Sequence, residues 1–413
     1  MSAWSILPGF NRVSWLRAAD WFALAVAVTL PWSTTATAIF ITLWLVTILP
    51  ATEVGLIRRE LASAAGLLPV MLWVLAAIGM LWADASWAER LGGLGKFHRL
   101  LLIPLLLAHF RQSEHGICVV YGFFASVLLL LLVSWGLAVI PGLPWRGRGV
   151  GVPTKDYIFQ SSNFLICAVA LLGFAAAALR AQKVRVALGL VALAGLFLGN
   201  IFFVVSARTS FVVAPVLLLL LGWRQFSWRG LIGAGLLGVA FGAVLWFASP
   251  YLRERIDKSF VEFRVYREDD TVSSTALHLE FLRKSVQFIE AAPIIGHGTG
   301  SIGEEFRNAA LGQTGLASEL SQNPHNQLFA VAIQLGIVGA AVLLAMWAAH
   351  LMLFAREGLI AWTGMVVVAE NIVSSLFNSH LFDFTSGWLY VFGVGVVGGI
   401  VLRERDAASV PAP

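Results

Sequence analysis

Apolar stretches long enough to cross a bilayer, or nearly so when tilted, recur along the chain. They fall at about 20–33, 36–50, 64–82, 97–110, 117–140, 157–179, 185–205, 209–223, 229–247, 325–354, 359–378 and 386–402. No water-facing shell can conceal them: 59% of the residues are apolar and only 12% are charged, against about 25% charged in soluble domains. Lipid is therefore the solvent for much of the chain, and the fold class follows as an all-α integral membrane protein of about twelve transmembrane helices. The predicted organisation is helices 1–9 over 1–247, a polar insert over 248–324, helices 10–12 over 325–402 and a tail over 403–413. Twelve spans place both termini on one side. Arg12, Arg17, the apolar run from Trp21 and the triplet Ala36-Thr37-Ala38 imitate a cleavable signal peptide. Apolar sequence resumes immediately afterwards, so two retained helices joined at Pro31 are the expectation.

Orientation follows from where the cations sit. Arg12, Arg17, Arg58, Arg59, Arg111, Arg180, Lys183, Arg185, Arg224, Arg229, Arg356, Arg403 and Arg405 make 13 in the short loops of one side. Arg90, Lys96, Arg99, Arg146, Arg148, Lys155 and Arg208 make 7 on the other. The richer side reads as cytoplasmic. The other 8 of the 28 Lys and Arg lie in the insert, whose length exempts it from that rule, so the insert is expected outside the cytoplasm. Within it, Tyr251 to Tyr266 and 276–290 read as amphipathic helices, and Pro293 to Gly300 as a mobile turn with Gly296, Gly298 and Gly300. Both cysteines, Cys118 and Cys167, fall in apolar runs, so neither a disulfide framework nor a four-cysteine zinc site can form.

The most informative stretch is Asn323-Pro324-His325-Asn326, which opens a long apolar helix containing Gly336 and Gly339. Asn323 suits a cap and Pro324 a first helical position, which sets His325 at the positive end of a helix dipole. A neutral imidazole there is suited to accept a proton from a hydroxyl; a histidine that only marks an interface is the alternative. At about 100° per residue His325, Gly336 and Gly339 share one face, and small residues on it admit a neighbouring helix.

Arg208, in Ser206-Ala207-Arg208-Thr209-Ser210, separates two apolar spans with almost no loop, so it either snorkels to the interface or meets an anion such as phosphate. Arg264 and Arg267, with Arg146, Arg148 and Lys155, add cations on the same side. Glu370-Asn371 lies within a predicted span, either as a functional group or as an interhelical hydrogen-bonding pair. Gly298-Thr299-Gly300-Ser301-Ile302-Gly303 fits G-x-G-x-x-G literally, but no strand precedes it, so a dinucleotide site is discounted. Asp269-Asp270 and Glu304-Glu305 are read as hydrated acids, and the histidines have no metal-ligand spacing.

His325-Asn326, nine residues, Gly336, two residues and Gly339 resemble the signature of the bacterial O-antigen ligase family. The resemblance extends over nearly the whole chain. It includes the large insert before the signature helix, the Pro293-Ile294-Ile295-Gly296-His297-Gly298 turn and the arginine that begins a span at Arg208. It implies a GT-C-like helical enzyme of the inner membrane whose site faces the periplasm, with no metal or other cofactor and no nucleic-acid partner. The implied partners are membrane lipids, an undecaprenyl-pyrophosphate O-antigen donor and a lipid A-core acceptor. Carried over residue by residue, the base matches His325, supported by Asn326, Gly336 and Gly339, and one pyrophosphate-binding arginine matches Arg208. A second arginine is expected about 15 residues before the Pro-x-x-Gly turn, where this sequence has His278. Either His278 takes the phosphate-facing role, or Arg267 or Arg264 reaches in. O-antigen polymerases and protein O-oligosaccharyltransferases share the superfamily and remain alternatives. From a different class, the rival is a polyprenyl-glycan flippase with Glu370 and Arg208 in an alternating-access path. An inverted repeat would favour the flippase, and none is seen; a 77-residue insert facing the histidine favours an enzyme.

Overall fold

The computed structural model describes residues 11–140, 142–145, 147, 149–205, 207–248, 253, 254, 257 and 274–409. Arg146, Arg148, Arg264, Arg267, Asp269, Asp270 and most of the expected helix from Tyr251 to Tyr266 lie outside the described residues.

The described residues form helices joined by turns and links, and no strand. The first two helices, α1 (Arg12–Thr29) and α2 (Thr34–Ala51), each start where a short polar side chain meets orphan amides. Asn11 accepts from Val13 and Ser14, and Ser33 accepts from Ala36. There follow α3 (Val54–Leu61), α4 (Ala64–Gly79), α5 (Trp87–Gly95), α6 (Leu102–Gln112), α7 (Gly116–Val139), α8 (Tyr157–Arg180) and α9 (Val184–Phe203). The short helices α3 and α5 fall outside the apolar stretches; α3 meets α4 at an 87° bend. The next element, α10 (Ser210–Ala248), breaks at Phe226 and Ser227, where φ of Ser227 is +56°. A Cβ on Gly222 would lie 2.4 Å from the Gly230 carbonyl oxygen, so the two halves double back on each other. They correspond to the stretches 209–223 and 229–247. The insert contributes α11 (Ser274–Ala291) and α12 (Ile302–Ala310) before α13 (Gln327–Leu353), α14 (Leu359–Ser374), α15 (Phe384–Phe392) and α16 (Gly398–Ser409), with one π turn joining the last two.

Among the described residues seven helices are long and apolar enough to span a membrane, or nine if each sharply bent pair is one span. The twelve sequence stretches exceed that number for three reasons. Helix α1 carries Arg12, Arg17 and Asp20, α14 has only 16 residues, and the halves of α10 join as one element. The protein is a multi-pass, all-helical membrane protein.

Two apolar cores exist. The large one runs through the bundle around Trp44, Phe164, Trp362 and Tyr390; in lipid it is held by close packing and polar contacts more than by exclusion of water. The smaller joins Phe281 and Phe288 of α11 and Ile302 and Phe306 of α12 to Ala330 and Ile333 of α13. At the water-facing end, burial of each such phenylalanine is worth about 1.5–3 kcal/mol. That cluster packs α11 and α12 over the start of α13.

Candidate active site

The start of α13 differs from the sequence expectation. The helix begins at Gln327, and the cap is Asn326, whose side chain accepts the Phe329 amide at 3.1 Å. Asn323 instead accepts the His325 amide at 2.9 Å in a tight local turn, and His325 takes φ of +55°. A non-glycine residue in that region is uncommon and costs free energy, so its surroundings must hold it there. His325 thus stands just outside the helix and its ring is free of the helical side-chain directions. Gln327 locks the turn from below: its amide donates to the Ser375 carbonyl at 2.8 Å and its side chain accepts from Leu381.

Gly336 and Gly339 also act differently from a smooth glycine face. Gly336 has φ of +61° and ψ of −158°, which interrupts the helix. The carbonyls this releases are taken by the 293–300 turn: His297 donates to Ile333 at 2.8 Å and Gly298 to Gln334 at 2.9 Å. In return Ile337 donates to Pro293 at 2.8 Å. A Cβ on Gly336 would sit 2.2 Å from the Ile294 carbonyl oxygen, so only glycine admits the turn. At Gly339 a Cβ would meet Leu335 of the same helix at 2.3 Å, a consequence of the break rather than of a partner helix. The 293–300 turn is therefore a built-in splice and not a mobile segment. His297 secures it, with Nδ1 3.0 Å from Glu305 and Nε2 2.8 Å from the Phe288 carbonyl, and the Glu305 hydrogen bond raises its pKa.

The splice delivers α11 to His325. The His278 and His325 rings lie 4.1 Å apart between centroids at 31°, and Phe281 stacks on His325 at 5.9 Å and 9°. The spacing of His278 and Phe281, one turn of α11, puts both on the face that covers His325. Arg208, in the short link between α9 and α10, donates to Thr275 Oγ1 at 3.0 Å, one turn before His278. Burial, then the neighbouring His325 and Arg208, push the His278 pKa down to about 4. Burial also lowers the pKa of His325, while a side-chain hydrogen bond with Asn378 and the charge of Asp383 oppose the fall. Both rings are therefore neutral near pH 7, and Arg208 is a cation close to His278.

The link between α14 and α15, residues 375–383, supplies contacts that the sequence expectation did not include. Asn323 donates to Asn378 at 2.8 Å, Ser379 donates to Asn323 at 2.7 Å, and Asn378 donates to Asp383 at 3.2 Å. His380 Nδ1 also lies 3.2 Å from Asp383. Arg99 gathers the carbonyls of Phe382, Asp383 and Phe384, which fixes this link against the bundle. The only sequence signal was a polar run, Asn378-Ser379-His380, between two apolar stretches. Glu370 and Asn371, in α14, are buried just beneath it beside His380, in a small pocket with Ser162 and Ser374.

Chemically, the cluster presents a neutral imidazole in a strained turn, oriented by an amide and a carboxylate, with an arginine near one side. Such an arrangement can accept a proton and hold an anion nearby. Among the described residues no group of three or more His, Cys, Asp or Glu is placed to hold a metal ion. Residues 193–344 match the family model described as O-Antigen ligase. That stretch runs from α9 into α13 and includes Arg208, His278, His325, Gly336 and Gly339. None of the curated proteins matches the chain.

Proposed function

This chain belongs to the O-antigen ligase family, and on that premise we propose that it transfers a preassembled O-antigen glycan from undecaprenyl pyrophosphate to a sugar hydroxyl of lipid A-core. The family's enzymes are ligases and polymerases; the ligase reading is ours. The observation that carries the catalytic assignment is the His325 turn: its ring is kept neutral by burial and held through Asn378 and Asp383.

The acceptor oxygen attacks the anomeric carbon, and its proton passes to the His325 imidazole. The bond from that carbon to the phosphate oxygen breaks, and polyprenyl pyrophosphate leaves with the electron pair. Attack in line with departure inverts the anomeric configuration. Arg208 stabilises the charge that develops on the leaving group, and a guanidinium does this at every physiological pH. His278, whose ring meets His325 and whose pKa Arg208 lowers, is one insert residue placed to face that charge, while Arg264 and Arg267 remain candidates for a second cation. Asn326, Gly336 and Gly339 support the site by starting and breaking α13. We assign the site to the periplasmic face of the inner membrane, with both termini cytoplasmic, because the short loops on the termini's side hold the larger share of cations. On this reading 248–324 is a periplasmic unit.

The test is reconstitution of the full chain in liposomes with polyprenyl-pyrophosphate glycan and lipid A-core. Formation of the glycan joined to lipid A-core supports the ligase. A longer glycan still on the polyprenyl carrier would make the protein a polymerase, and movement of the donor between leaflets without a new glycosidic bond would make it a flippase.

A further inference from the structure

Next to the base, on the side where Asn378 lies, an open groove of about 580 Å³ runs between the α1–α2 turn, the segment before α8 and the start of α15. Asn378 lines it and accepts from Asn323, whose side chain also accepts the His325 amide, so one residue joins the groove to the turn that carries the base. Its lining combines Trp32, Lys155, Asp156, His380, Asp383 and Thr385. The Trp32 ring is held edge-on by a 2.8 Å hydrogen bond to Ser126, and Trp145 stands 6.4 Å from it. Lys155 donates to the Leu30 carbonyl at the wall. His380 forms part of the floor, 2% exposed, with Nδ1 toward Asp383 and Nε2 without a hydrogen-bond partner among the described residues.

Among the described lining residues, the carboxylates of Asp156 and Asp383 suit hydroxyl groups. Ionised Asp side chains only accept hydrogen bonds, and a sugar presents many donors. An indole face packs against the apolar CH face of a pyranose. Concave sites that fix a ligand by a few convergent polar groups beside an aromatic wall have this make-up. Arg208 and His278 approach His325 from α11 and the α9–α10 link, whereas the groove approaches from α2, α8 and α15. A reaction with attack in line with departure needs its two partners on such separate approaches.

We propose that this groove binds the acceptor sugar and presents its hydroxyl to His325, with Trp32, Asp383 and Thr385 setting which sugar is accepted. The proposal rests on the ligase reading.

The test uses the reconstituted full chain with polyprenyl-pyrophosphate glycan and lipid A-core, measuring acceptor and donor KM separately. Thr34→Trp fills the groove from α2, where Thr34 is exposed, and Thr385→Trp fills it from α15, so two walls are probed independently. Each is expected to raise acceptor KM by about tenfold or more while donor KM stays within about twofold. Unchanged acceptor KM in both variants, or a rise in donor KM instead, overturns the assignment while leaving the ligase reading in place. Absence of any transfer by the wild-type chain would sink the ligase reading itself and this proposal with it.

Discussion

His278 and His325 come from segments separated by the whole 293–300 splice, yet their rings face each other at 4.1 Å. Two imidazoles this close cannot both carry a proton cheaply, and burial already disfavours the charged form of each. On the proposed mechanism the pair divides the work: Asn378 and the charge of Asp383 support a proton on His325, and His278 is the neutral cover that an anion would charge.

A titration checks this. With its pKa near 4, His278 should stay neutral from pH 5.5 to 8.5 in the empty protein. Its folded pKa lies below the ordinary value, so its contribution to stability is present above about pH 6.5 and is lost as pH falls toward about 4. Pyrophosphate beside it should raise the pKa and draw in a proton on binding. NMR of labelled histidine should show a midpoint near 4 without donor and a higher one with it; a midpoint near 6.5 in the empty protein contradicts the buried arrangement.

Arg208 is a cation close enough to His278 to lower its pKa. Arg208→Lys keeps the charge but loses the planar fork, so donor KM should rise, and Arg208→Ala should raise it further. Equal donor affinity and rate in both variants would return Arg208 to a simple contact with Thr275.

The break in α13 makes a steric prediction. Gly336→Ala puts a Cβ 2.2 Å from the Ile294 carbonyl oxygen at a φ of +61°. The backbone strain alone costs roughly 1–3 kcal/mol, and displacement of the turn adds to it. Thermal unfolding in detergent should fall clearly for Gly336→Ala and barely for Gly55→Ala, where a Cβ meets nothing within 4 Å. Equal unfolding temperatures would contradict the splice.

Much of the fold was legible because apolar runs in lipid have one way to satisfy their backbone, and each sequence stretch overlaps a helix. His325 and Arg208 were legible because a histidine and an arginine beside apolar runs are costly and therefore conspicuous. The inversion of roles between Asn323 and Asn326 was not, since both are good caps and only the His325 turn decides between them. Nor was the splice: a glycine-rich stretch reads as loose until its amides are seen donating to Ile333 and Gln334. The 375–383 link escaped because Asn323 and Asn378 are 55 residues apart and nothing local pairs them.

On the proposed mechanism Asp383, besides lining the acceptor groove, acts on His325 through its hydrogen bond with Asn378. Because its charge helps hold the His325 pKa up against burial, Asp383→Asn should move the acidic limb of the rate profile to lower pH as well as reduce the rate. A reduced rate with an unmoved limb would contradict the action of Asp383 on His325 and leave it only its contacts in the groove and the link.

The central claim is that His325 takes the acceptor's proton. The direct measurement is the initial rate of glycan transfer to lipid A-core by purified, reconstituted His325→Ala, alongside its donor affinity. Loss of a general base predicts a fall of about 100-fold or more with donor affinity nearly unchanged. Turnover near that of the wild type in a well-folded His325→Ala protein would contradict it.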